Sequence, residues 1–267
     1  MATVQGSAGD GVLGWGGVVK VKDFPLARAG GRTNPDGKRV ANKILLSISN
    51  HEYAKVRPYL EFVNLPQRFT LHEPHEKLKF AYFLNRGLAS IVVATRGGKN
   101  VEAGVVGYEG AVGTPLAVGL YRSPLCEVMQ IGGEGFRISA RALHATLQAT
   151  PELQLNLSRY AVLQGMQVAQ TAACNRLHDV GQRLARWLLM AQDRVNSTRL
   201  PLTHDFLAIM LGTDRPSVSL AARKLQDDGA IRYNRGHVVI LNRKKLESAA
   251  CECYRVIQHL NGNLGLT

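Results

Sequence analysis

The stretch from Thr203 to Leu225, THDFLAIMLGTDRPSVSLAARKL, constrains this chain more than any other. It reads as a helix, a tight turn and a second helix. Thr203 can cap the first helix, and Ala208 is small enough for another helix to cross closely. Gly212 supplies the turn, because glycine adopts the left-handed backbone that ends a helix without a steric cost. Asp214 stands where an N-cap would satisfy the free amides of the second helix. Pro216 in its first turn costs no hydrogen bond, since those amides have no partner within a helix. Leu207, Leu211, Val218 and Leu225 then face one core. The second helix starts at Arg215 and presents Arg215, Ser217 and Ser219 outward, with Arg223 one to two turns on.

After Asp228-Gly229, the segment from Ala230 to Leu241 reads as a hairpin whose Asn234–Gly236 turn lifts Arg235 to its tip. Charge gathers in the same region. The chain carries a formal net charge of +13, and between Arg176 and Lys245 there are 13 Lys and Arg against 6 Asp and Glu. Such a surplus favours a polyanionic partner through phosphate contacts and counterion release. A helical hairpin with a merely solvated basic face is the plain alternative. The turn chemistry, the hairpin and the local charge together favour double-stranded DNA, with Arg215 placed to reach a guanine edge and Arg235 to reach phosphate.

The rest of the 267 residues divides by pattern. Residues 1–41 hold clustered glycines without sustained periodicity and are expected to form a flexible tail. From Asn42 to Leu60 the apolar spacing suits one or two helices. Between Arg68 and Ile138, short runs at Phe80–Leu84, Ala89–Ala94, Val101–Val106 and Glu127–Ile131 alternate with Gly-rich turns, as in an antiparallel barrel or jelly roll. From Pro151, with Thr150 as its candidate cap, the pattern is helical to about Val195. Leu155, Val162, Met166, Ala169, Ala173, Leu177 and Val180 recur as a narrow stripe, which suits a seam between two copies of the chain. Packing of that stripe on the chain's own barrel is the alternative.

The run Cys174–Leu189, the helix-turn-helix from Thr203 and the segment Leu246–Arg255 resemble the Crp/Fnr family of bacterial transcription regulators. The resemblance implies an α+β chain: an N-terminal β jelly roll with flanking helices, a long dimerisation helix and a C-terminal winged helix-turn-helix. It sets a cyclic-nucleotide-binding-like sensor domain at 42–150, the dimerisation helix at 151–180, the DNA-binding domain at 181–257 and a C-terminal tail at 258–267. It implies a sequence-specific, homodimeric DNA-binding regulator with RNA polymerase as a further partner. By that similarity Arg215 takes the principal base-reading role, while Ser217, Thr203 and His204 lie against phosphate. Pro216 and Leu220 stand where members carry base-contacting residues, so the family's best-known operator is not expected.

In nucleotide-binding members a Gly-Glu turn and an Arg-Ser pair hold ribose and cyclic phosphate. Here Gly107-Tyr-Glu-Gly110 and Arg122-Ser123-Pro124 look like worn versions. By that similarity Glu109, Arg122 and Ser123 are the candidate effector turn. Cyclic AMP is not expected, and an ion pair between Glu109 and Arg122 is the simplest reading. The effector stays unknown.

Other chemistries find little support. Of four cysteines only Cys251 and Cys253 are close in sequence, and this C-x-C stands alone, so two half-buried thiols on the last helix are expected and no metal. No cysteine precedes Cys126, which argues against an iron-sulfur sensor. His72-Glu-Pro-His75 has a proline where a zinc-binding helix could not keep it, and reads as a loop. There is no phosphate loop and no nucleophile elbow, so neither an enzyme nor a cofactor is expected. Nothing approaches a membrane span or a signal peptide, and a cytoplasmic protein is expected. A small-molecule-binding module acting through protein contacts is the rival reading.

Overall fold

The computed structural model describes residues 31–95, 100–234 and 236–263. In chain order the elements are α1 (Lys43–Ser47), α2 (Asn50–Val56), a 3-10 turn (Arg57–Tyr59), β1 (Glu61–Leu65), β2 (Thr70–His72), β3 (Phe80–Ala94) and β4 (Asn100–Val106). A second 3-10 turn (Thr114–Val118), β5 (Cys126–Ser139), α3 (Ala140–Leu147), α4 (Pro151–Leu177) and α5 (Val180–Val195) follow. The chain continues as β6 (Arg199–Leu200), α6 (His204–Leu211), α7 (Arg215–Asp227), β7 (Ile231–Asn234), β8 (His237–Ile240), α8 (Arg243–Ala249) and α9 (Cys253–Asn263). The architecture is α+β.

The larger sheet is antiparallel, in the order β1-β5-β3-β4, with β2 also pairing with β5. The runs expected as separate strands at Phe80–Leu84 and Ala89–Ala94 are one strand. Its register against β5 shifts at three points between Leu84 and Ala89, where Gly87 takes a φ of 95°. A Cβ on the facing Gly133 would lie 2.0 Å from the carbonyl oxygen of Arg86. These glycines therefore let two backbones approach across a bulge inside the sheet, whereas a pattern reading takes them for turns.

Among the described residues two large apolar cores result. The first gathers the sheet, α1 to α3 and the inner face of α4, including Leu153, Leu157, Tyr160 and Leu163. The second is built by α5 to α9 and β6 to β8, and it also takes Leu88, Val105 and Ile131 from the larger sheet. The two halves thus share buried surface.

The long helical pattern is two helices. α4 ends at Leu177, and Asp179 starts α5 with a reciprocal capping box to Gln182. Thr150 does not cap α4. Its hydroxyl donates to Thr146 O, and the Glu52 carboxylate instead accepts from the backbone amides of Glu152 and Leu153 at 2.9 and 3.0 Å. The stripe on α4 faces outward: Leu155, Val162, Met166 and Leu177 are 46%, 58%, 45% and 74% exposed, and Ala169 and Ala173 are exposed too. These residues do not pack on the chain's own barrel, whereas Val180, the last of the stripe, lies in α5 and packs against the second core.

Both expected tails need correction. Residues 1–30 lie outside the described residues, but residues 31–41 are not a loose tail. Arg32 is buried and donates to Leu45 O, Ile48 O and Asn50 Oδ1, while Asn34 is fully buried. A charged group satisfied by carbonyls at the open end of a short helix has a strong reason to stay there. At the other end, residues 258–263 continue α9, with Leu260 packed against the first core.

Candidate nucleic-acid interface and effector turn

The helix-turn-helix forms as its residues dictate. Thr203 Oγ1 accepts from Phe206 N at 3.2 Å, Gly212 ends α6 with a φ of 58°, and Asp214 Oδ1 accepts from Ser217 N at 2.8 Å. The amide and hydroxyl of Ser217 both bond Asp214, and they hold its carboxyl below the usual range. The inner face of α7 buries Val218, Ala221, Ala222 and Leu225. Its outer face leaves Arg215, Leu220, Arg223 and Lys224 exposed. The Arg215 guanidinium lies 3.5 Å from Asp205 with both side chains about two-thirds exposed, so it is loosely tethered rather than neutralised.

Two expected contacts turn toward each other. His204 Nδ1 bonds Ser219 Oγ at 2.9 Å, and the imidazole lies against Tyr233 with ring centroids 4.0 Å apart. Burial, then the nearby Arg215 charge, lowers the His204 pKa, so the ring is neutral at pH 7. His204 and Ser219 thus brace α6, α7 and β7 together. Thr203 caps α6 from an exposed position, while half-buried Ser217 donates to the Asp214 cap of α7. Arg235 lies outside the described residues; its neighbours Asn234 and His237 close the β7–β8 hairpin, and β6 joins as a third strand.

The expected effector turn does not come together. Glu109 pairs with Arg194 of α5 at 2.6 Å, both buried, and not with Arg122. Arg122 donates to His75 O at 2.7 Å from an exposed position, and Ser123 Oγ accepts from Leu125 N at 3.1 Å. The space over the turn is filled: a Cβ on Gly110 would lie 1.8 Å from Cζ of Tyr160, and one on Gly107 would lie 2.8 Å from Arg194. A second polar tie joins the same elements. Glu102 of β4 accepts from Trp187 Nε1 at 2.7 Å and from Ser90 Oγ, and burial raises its pKa to about 7. These carboxylate ties link the sheet to α5 over 85 residues, and no local pattern announces them.

Cys251 and Cys253 do not stand alone either. They are fully buried, and the fold brings Cys174 and His178 to them, with the four ligand atoms within 4.8 Å of one another. The signal was present as a C-x-x-x-H spacing at the end of α4. Nothing in the sequence placed that end beside α9. His72 lies in β2, bonded to the Glu127 carboxylate and to Phe80 O, and is not part of that set.

Comparison with known proteins agrees with this geometry. Residues 182–249 match the model of the Crp-like helix-turn-helix domain. No curated protein matches the chain in sequence. Among solved structures, FixK2 from Bradyrhizobium japonicum superposes with a TM-score of 0.62 at 13% identity, over 72% of this chain and 98% of that one. The c-di-GMP responsive global regulator CLP of Xanthomonas campestris gives 0.59 at 18% identity, over 72% and 99%. A CRP-family transcriptional regulator of Thermus thermophilus gives 0.57 at 22% identity, over 70% and 96%. Among the described residues no helix is long and apolar enough to cross a membrane. The chain therefore carries a Crp-like helix-turn-helix domain within the fold of the Crp/Fnr transcription regulators.

Proposed function

We propose that this protein is a homodimeric transcription regulator that reads duplex DNA with the outer face of α7. The observation that carries the reading is the exposed row Arg215, Leu220, Arg223 and Lys224, with half-buried Ser217 beside it, on a helix whose N-terminus Asp214 caps within the matched domain. Arg215 reads a guanine through its planar fork. Thr203, Arg223 and the wing with Arg235 meet phosphate. His204 and Ser219 hold the reading helix at its angle.

The outward apolar stripe on α4 supports a dimer formed along that helix, with residues 42–150 as sensor, 181–257 as DNA-binding unit and RNA polymerase as the downstream partner, in the cytoplasm. Two recognition helices then meet successive major grooves about 34–36 Å apart on a roughly palindromic site. The filled turn over Gly107 and Gly110 speaks against a cyclic nucleotide in that place. The rival, a module acting only through protein contacts, leaves the exposed α7 face without a role.

Selection of bound sequences from random duplex DNA, followed by salt titration of the preferred site, tests this. A palindromic site emerges, with affinity falling steeply as salt rises. Recovery of no preferred sequence at physiological salt would sink the proposal.

A further inference from the structure

The four ligating side chains at the junction of α4 and α9 form a closed set. Cys174 Sγ lies 3.5 Å from Cys251 Sγ, and Cys253 Sγ lies 3.6 Å from His178 Nδ1. A tetrahedral zinc ion bound at about 2.3 Å to sulfur and about 2.0 Å to nitrogen has ligand-to-ligand edges of roughly 3.5–3.8 Å. The spread of at most 4.8 Å suits one ion at the centre rather than a cluster of several. The three thiols form a group of their own, apart from both apolar cores.

The surroundings are arranged for charged ligands. His178 turns Nδ1 to the thiols while Nε2 bonds the Glu252 carboxylate at 3.1 Å, the outer partner that fixes a metal-binding imidazole in one tautomer. Gln170 Nε2 donates to Cys253 Sγ at 3.0 Å. Arg183 and Arg186 are 8% and 3% exposed, each leaves its Nε without a partner, and each stands in electrostatic range of Cys174. Three thiolates and a neutral imidazole around a divalent ion leave one net negative charge, which gives these guanidiniums a counter-charge that neutral thiols do not. The set lies at the C-terminal end of α4, where the helix dipole favours a cation.

We propose that Cys174, His178, Cys251 and Cys253 bind one structural zinc ion per chain. All four positions are supplied by protein, as in structural rather than catalytic sites. His178 is the C-cap of α4, next to the Asp179 that caps α5, so the ion fastens the joint between the long helix and the helix-turn-helix unit to the start of α9.

The test is metal content of the full chain purified under reductant, read by inductively coupled plasma mass spectrometry after dialysis against a weak chelator. One zinc per chain is expected, unchanged in Cys126→Ser, which alters the remaining cysteine. His178→Ala and Cys253→Ser should fall well below one, while His178→Cys, which keeps a fourth ligand, should return to one. If the first two fail to fold, cobalt titration of the zinc-stripped wild type decides: sulfur-to-cobalt charge transfer and intense tetrahedral visible bands support the site. A folded, reduced wild type that shows neither zinc nor these bands overturns the proposal. Stoichiometric iron, or a Cys174–Cys251 disulfide persisting under reductant, overturns it equally. None of these readouts depends on DNA binding.

Discussion

Replacing Glu102 by Gln should remove a pH dependence that the fold imposes on the tie between sheet and helix-turn-helix unit. Glu102 is fully buried between Ser90 and Trp187, and desolvation lifts its pKa from an ordinary 4.5 to about 7 despite those two hydrogen bonds and the charges of Arg186 and Arg194. The folded state holds the proton more tightly than the unfolded chain. Stability from this group is therefore fully present below about pH 4.5 and is lost as pH rises through about 7. At about 1.4 kcal/mol per pKa unit, the linkage amounts to about 3 kcal/mol across that window. Glutamine keeps an oxygen for Trp187 Nε1 and cannot ionise. Denaturant unfolding of both proteins at half-unit steps from pH 5 to pH 8 isolates the effect, since other titrating groups are common to both. The wild type should lose stability relative to Glu102→Gln as pH rises. Parallel stability curves across the range would refute the reasoning and mean that water reaches the carboxylate.

Further outcomes follow from the same structure. Arg215→Ala should cost ~1–3 kcal/mol on the preferred operator and relax one base pair per half-site, as read by binding to all single-base variants; uniform weakening on every sequence would show that this residue does not read bases. Met166→Glu places a charge in the exposed stripe of α4, so sedimentation should show a dimer at micromolar concentration for the wild type and a shift to monomer for the variant. Equal dimerisation of the two would reject the seam. Arg32→Ala removes charge-assisted bonds to Leu45 O, Ile48 O and Asn50, and should destabilise by about 1–3 kcal/mol in thermal or denaturant unfolding; no loss would return residues 31–41 to the status of a tail.

What the sequence determined by itself is local. The caps at Thr203 and Asp214, the left-handed Gly212, the start of α7 at Arg215 and the wing hairpin were all legible, because each depends on a few neighbouring residues satisfying neighbouring amides. The stripe of α4 was legible for the same reason, since one helical period relates its members, whereas its outward direction was not. Tertiary structure alone decided which distant groups meet. Glu109 was expected beside Arg122 and is held by Arg194, because burial leaves a carboxylate no alternative to the cation that packing delivers. The glycines at 87 and 133 looked like turns, yet they sit where two strands cross too closely for a side chain. Cys251 and Cys253 looked like a lone pair until α9 folded back on the end of α4 and brought in Cys174 and His178. A chain's own order carries no record of such contacts, since they follow from how two cores close around a shared sheet and not from any spacing along it.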